Sequence, residues 1–151
     1  MNLQMEINSL KQRITELEEL AKEEQKFPQV EDDYWYVDAD AEVMFSVWRG
    51  DDYDKGRVSI DNVFKTKEQA EFAAEKLKVE AELWKYSKLF EYGKFNYYLF
   101  LDIDGNNFRT DFTSYCPPQG AIYFESEEKA QEAVSAVGKE RIKKYIFGVE
   151  D

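Results

Sequence analysis

FKTKEQAEFA, residues 64–73, and FESEEKAQEA, residues 124–133, share the pattern F-x-[ST]-x-E-x-A-x-x-A, and reading the two together decides the fold. In each, an aromatic residue closes a β-rich stretch and a small hydroxyl residue two positions later opens a helix. Thr66 is placed as an N-cap with Gln69 three residues on, the spacing at which a cap and a third-position side chain satisfy each other's backbone donors. Ser126 takes the same position in the second copy, with Glu127 and Glu128 in the first turn, where negative charge suits the helix dipole. Two copies at matching places predict an internal duplication of a β-meander-plus-helix unit. The alternative is that any strand leading into a capped helix reads this way.

Outward from the first copy, Tyr34 and Tyr36 alternate with Trp35 and Val37 along one strand. Val43 to Trp48 pairs with it across a turn at Asp38 to Glu42. Asp51 to Gly56 reads as a second polar turn, and Arg57 to Phe64 as a third strand carrying Val58, Ile60 and Val63. The helix opened by Thr66 can run to about Leu89 and is apolar on two sides. One stripe holds Ala70, Ala73, Ala74, Leu77, Ala81 and Trp84; the other holds Phe72, Val79, Leu83, Tyr86 and Phe90. Such a helix must be covered twice, by its own sheet and by the second module or another subunit. Outward from the second copy, Tyr97 to Ile103 and Phe108 to Phe112 are strands joined at Asp104-Gly105, and Ala121 to Phe124 leads into the next helix.

Ahead of both modules, Leu3, Ile7, Leu10, Ile14, Leu17 and Ala21 are spaced alternately four and three apart, which is a heptad seam. Ile7, Ile14 and Ala21 fall at a, and Leu3, Leu10 and Leu17 at d, a combination that favours two parallel strands. Glu6 at g would meet Lys11 at e of a partner, and Arg13 would meet Glu18. Leu20 at g widens the seam towards trimers, and a single amphipathic helix lying on its own domain is the other reading. Phe27-Pro28 ends the helix, because proline disfavours the α conformation in the residue before it. The expected architecture is α+β: a coiled-coil helix in residues 1–26, then two β-meander-plus-helix modules with antiparallel sheets, 27–91 and 92–151.

Composition narrows the chemistry. Among 151 residues there is no histidine and a single cysteine, Cys116, so Ser-His and Cys-His pairs and cysteine-rich zinc sites are excluded. Cys116, ahead of Pro117 and Pro118, reads as a partly buried loop residue, and an odd thiol suits a reducing compartment. Asp102, Asp104, Asn106 and Asn107 imitate a calcium loop, but Gly105 falls at the fourth position and Thr113 stands where a bidentate glutamate belongs. No glycine-rich phosphate loop, cofactor motif, leader or roughly 18-residue apolar span is present, so the expected protein is cytoplasmic and is not an enzyme.

Twenty basic against 32 acidic residues give a net charge of −12, which disfavours direct nucleic-acid or membrane binding and favours a basic protein partner. Nine carboxylates against Arg49 alone lie between residues 31 and 54. Glu31, Asp32, Asp33, Asp38, Asp40, Asp51, Asp52 and Asp54, with Trp48 and Tyr53 among them, form the candidate partner-binding face; Leu3, Ile7, Leu10, Ile14 and Leu17 are the candidate oligomerisation residues. Carboxylates interleaved with aromatics suit the capture of Arg and Lys, and equally suit a solvated edge that resists strand-to-strand aggregation.

The runs DYWYVD and NVFKTKEQAEFAAEKLK, preceded by a short coiled coil and Phe-Pro, and the closing IYFESEEKAQEAV and RIKKYIFGVED, resemble a family of small proteins encoded in phages and prophages of Firmicutes and other gut bacteria. The family supplies no catalytic residues to carry over. The resemblance implies a setting in which small acidic proteins inhibit host defence, as anti-CRISPR proteins do by occupying basic nucleic-acid channels. The expected function is therefore a protein-binding inhibitor acting as a nucleic-acid mimic on a host protein with a basic surface, such as a CRISPR effector or another nuclease. A structural homo-oligomer without an inhibitory role is the alternative, and a small-molecule binder or carboxylate enzyme ranks below both.

Overall fold

The computed structural model describes residues 2–24, 26–102 and 104–150 and has the expected mixed α+β architecture. The described chain divides into two compact units, one of residues 1–36 with 44–67, the other of 37–43 with 68–151.

The first unit opens with α1, Leu3–Glu24, whose boundaries follow the heptad seam. β1, Asp33–Val37, and β2, Val43–Val47, then form a two-stranded sheet, closed at one end by mutual hydrogen bonding between the Asp32 and Trp48 segments. The expected second turn and third strand are replaced by α2, Asp52–Ser59. Asp51 and Asp54 explain the difference. The Asp51 carboxylate accepts from the Asp54 N–H at 2.9 Å and the Asp54 carboxylate accepts from the Asp51 N–H at 3.3 Å, a reciprocal cap that nucleates a helix where a polar turn was expected. Val58 and Ile60, expected on that third strand, are exposed. What remains of the third strand is one antiparallel bridge: Phe64 exchanges both backbone hydrogen bonds with Trp35 at 2.8 and 2.9 Å.

The second unit also holds a two-stranded hairpin. β3, Asn96–Leu101, and β4, Phe108–Thr113, pair antiparallel with Tyr97 opposite Phe112 and Leu101 opposite Phe108. Ile103, expected at the end of β3, lies outside the described residues, as do Met1 and Gln25 of the expected coiled-coil segment and Asp151 of the expected second module. The connection is held by the Asp102 carboxylate, which accepts from the N–H groups of Asn106 and Asn107, with Gly105 at φ 68°. Phe124 bridges Tyr97 as Phe64 bridges Trp35, so the two phenylalanines of the repeated pattern each dock on the first strand of their own hairpin. Ala70 and Ala130, the next shared positions, are both fully buried.

α3, Lys67–Trp84, follows the first copy, and α4, Glu127–Val137, the second; α4 is capped by Ser126 as expected. α5, Lys139–Tyr145, completes the chain's helices among the described residues. Val79 and Leu83 of α3 join Phe124, Ala130, Ala133, Val137 and Ile142 in one core. The second stripe of α3 is thus covered at Val79 and Leu83, while Leu77 and Trp84 of the first stripe are exposed.

Asn96, at the start of β3, is fully buried and ties three segments together. Its side-chain oxygen accepts from the Glu91 N–H, and its amide donates to the carbonyls of Glu91, Lys94 and Thr113, all within 3.0 Å. Asn96→Ala strands these backbone groups, with an expected loss of about 2 kcal/mol, read as a lower urea midpoint with unchanged slope. An unchanged midpoint would show that water replaces the amide at no cost.

Candidate protein-binding surfaces

α1 is a surface along its whole length. None of its 22 residues is buried, and Leu3, Ile7, Leu10, Ile14 and Leu17 are between 43% and 77% exposed.

The acidic residues divide by environment. Glu31, Asp33, Asp51 and Asp52 are exposed near the open end of the β1–β2 hairpin, together with Tyr53, which is 77% exposed. Asp32 is half-buried and accepts from the Gln29 N–H at 2.7 Å; Trp48 is half-buried and lies edge-on to Tyr34 at 6.3 Å. Asp38 and Asp40 fall in the turn of the hairpin, within the segment 37–43 that belongs to the second unit. There the Asp38 carboxylate accepts from the N–H groups of Asp40 and Glu42, both at 2.9 Å, which fixes the turn.

Asp54 is not a partner-binding residue, because it is 2% exposed and its carboxylate is spent on the fold. One oxygen accepts from the Tyr34 hydroxyl at 2.5 Å. The other accepts from the N–H groups of Arg49, Gly50 and Asp51 at 2.8, 3.0 and 3.3 Å. Arg57 donates to the Tyr34 hydroxyl at 2.7 Å, stands 3.8 Å from Asp54 and stacks its guanidinium 3.7 Å over the Tyr36 ring. Burial by itself would raise the Asp54 carboxyl pKa; the Tyr34 hydroxyl and the backbone donors of Arg49, Asp51 and Gly50 outweigh it and hold the carboxyl below its ordinary value. Burial, reinforced by the bond to Asp54, raises the Tyr34 pKa, which keeps the phenol a donor. Asp51 also has a structural duty as the α2 cap, which leaves Glu31, Asp33 and Asp52 as the exposed carboxylates of the open end with the least part in holding the fold.

A third surface was not anticipated. Tyr92, Phe95, Phe112 and Tyr115 are exposed at the open end of the β3–β4 hairpin, where Phe95 and Phe112 meet edge to face at 4.7 Å and the Gly93 N–H donates to the Ser114 carbonyl. The alternation of Phe95 with Tyr97 along one strand phase marks them as neighbours, but says nothing of where the covering helices stop.

A cavity of about 270 Å³ in the second unit is walled by Leu83, Leu99, Ile122, Phe124 and Ile142, with Tyr98 and Gln119 as its polar side chains among the described residues. Among the described residues no three Asp, Glu or Cys side chains converge to hold a metal ion, and no helix is long and apolar enough to cross a membrane. Cys116 is exposed rather than partly buried: Thr113 holds its loop by bonding the Cys116 backbone, which leaves the thiol outside. No protein-family model, no curated protein and no solved structure matches the chain.

Proposed function

We propose that this protein works by association and not by catalysis, as a self-associating, acidic protein-binding protein. In the phage setting that the resemblance implies, its target is a host defence protein with a basic nucleic-acid channel, such as a CRISPR effector or another nuclease, and it inhibits by occupying that channel. The observation that carries the binding role is α1, a 22-residue helix with no buried residue. Helices in proteins owe most of their stability to packing of an apolar face, and an exposed apolar seam is stabilised when another protein surface covers it. The net charge of −12 and the exposed Glu31, Asp33, Asp52 and Tyr53 supply a surface complementary to Arg and Lys.

The test is capture by the tagged protein from a bacterial lysate containing defence nucleases, at low and high salt, with Glu31→Lys, Asp33→Lys and Asp52→Lys combined. The reading expects a basic nuclease held at low salt, released at high salt, bound at least about tenfold more weakly by the triple variant and inhibited when bound. Capture that is indifferent to salt and to the three reversals would remove the nucleic-acid-mimic role. An assembly protein without an inhibitory role would then be favoured by the same exposed helix, and deleting residues 1–26 separates the two. Inhibition by the acidic face would lose avidity only, whereas assembly would be lost outright.

A further inference from the structure

We infer that the surface covering α1 is α1 of a second copy, paired parallel and in register as a two-stranded coil. This rests on the binding role proposed above and names the partner. Each layer of such a coil would be homotypic: Leu3, Ile7, Leu10, Ile14, Leu17 and Ala21 would each face its own counterpart. β-branched residues at a with leucine at d select two strands over three or four.

The flanking charges decide orientation. In the parallel pair, g of one helix meets e of the next heptad on the other, which sets Glu6 against Lys11 and Arg13 against Glu18, twice each by symmetry. In an antiparallel pair of full overlap, a faces d, so that Ile7 lies against Leu17 and Leu10 against Ile14. The flanking contacts become g to g and e to e, which sets Arg13 against Arg13 and Lys11 against Lys11, with no attractive pair in exchange. Parallel pairing replaces two repulsions with four attractions on the same apolar seam. The intrahelical pair of Arg13 with Glu16, at 3.3 Å, is exposed on both sides and yields readily to Glu18 of a partner.

Parallel pairing has a functional consequence. Both chains leave the coil at Glu24, so the two copies of the Glu31 to Asp54 segment emerge at the same end and can engage one extended basic surface together. A modest acidic face would thereby gain avidity without new contacts.

The experiment uses the full chain. Light scattering coupled to gel filtration at tens of micromolar is expected to give twice the 17.9 kDa chain mass. Leu17→Cys in a Cys116→Ser background is expected to cross-link into a covalent dimer under mild oxidation, because parallel register places the two copies of residue 17 in one layer. Antiparallel register would separate them by about 15 Å along the axis. A third arm tests the occupant. Glu6→Lys with Glu18→Lys makes every flanking charge positive, and Lys11→Glu with Arg13→Glu makes every one negative. Each variant alone should run as a monomer and the equimolar mixture as a dimer.

None of these changes touches a buried residue, so the units behind α1 stay folded, which far-UV circular dichroism checks. A chain-mass monomer, a trimer or larger species, or failure of Leu17→Cys to cross-link would each overturn the pairing. A monomer that still captures a basic nuclease would overturn the pairing and leave the binding role standing. A cross-linked dimer that captures none would support the pairing and count against the inhibitor.

Discussion

Asp54→Ala is expected to cost about 3 kcal/mol, enough to remove a large part of the stability of a marginal unit. The substitution strands the N–H groups of Arg49, Gly50 and Asp51 and takes the partner from the buried Tyr34 hydroxyl. It also removes the third residue of the reciprocal cap that starts α2. Arg57 keeps some access to water, which holds the cost below that of a wholly buried broken pair. Asp54→Asn retains the shape and one acceptor, and should lose about half as much. Urea unfolding followed by near-ultraviolet circular dichroism, to which Trp35, Trp48 and the tyrosines around them contribute, measures both. A cost near zero would mean that the network forms without stabilising the fold.

The same carboxylate sets a pH dependence whose sign is fixed. The Asp54 carboxyl pKa is lower in the folded chain than its ordinary 3.8, so its stabilisation is fully present above about pH 4 and is lost as pH falls through the folded value. In Asp54→Asn that part of the acid sensitivity disappears. Some remains, because Glu82 accepts a two-pronged bond from Arg141 at 2.8 and 3.2 Å, and that bond holds its carboxyl below 4.5 in the folded chain.

Phe124→Ala should cost about 4 kcal/mol, while the equivalent Phe64→Ala should cost about half of that. The two residues hold the same place in the repeated pattern and make the same backbone bridge, to Tyr97 and Trp35 respectively. Their surroundings differ. Phe124 is 1% exposed in a core with Val79, Leu83, Ala130 and Ile142, so truncation leaves a cavity that these neighbours cannot collapse into. Phe64 is only half-buried, and water fills much of what its ring would leave. The pair of urea midpoints measures the difference; equal losses would show that backbone pairing, and not ring burial, is what this position contributes.

What could be read from the chain alone was whatever its neighbours in sequence decide. The α1 boundaries follow from a heptad period and a downstream proline, the β3–β4 hairpin from two aromatic runs around Asp104-Gly105, and the α4 start from Ser126. The repeated F-x-[ST]-x-E-x-A-x-x-A pattern pointed to a duplication, and its two phenylalanines, Phe64 and Phe124, make equivalent bridges to Trp35 and Tyr97. The α2 cap was also within reach, since Asp51 and Asp54 stand three apart; Val58, Ile60 and Val63 drew the reading to a strand instead, because an apolar alternation looks the same whether or not anything covers it. Only the tertiary structure decided which carboxylate of the acidic run is internal. Asp54 is of the same residue type as Asp51 and Asp52 and stands beside them; besides the local N–H groups of its cap, what makes it internal is Tyr34, 20 residues earlier in the chain. It likewise decided that Val79 and Leu83 of α3 share a core with Phe124 and Ile142, and that Tyr92, Phe95, Phe112 and Tyr115 stay outside it. Periodicity and capping are local and are written in neighbouring residues; burial is a property of which distant surfaces meet, and one chain's sequence does not state that pairing.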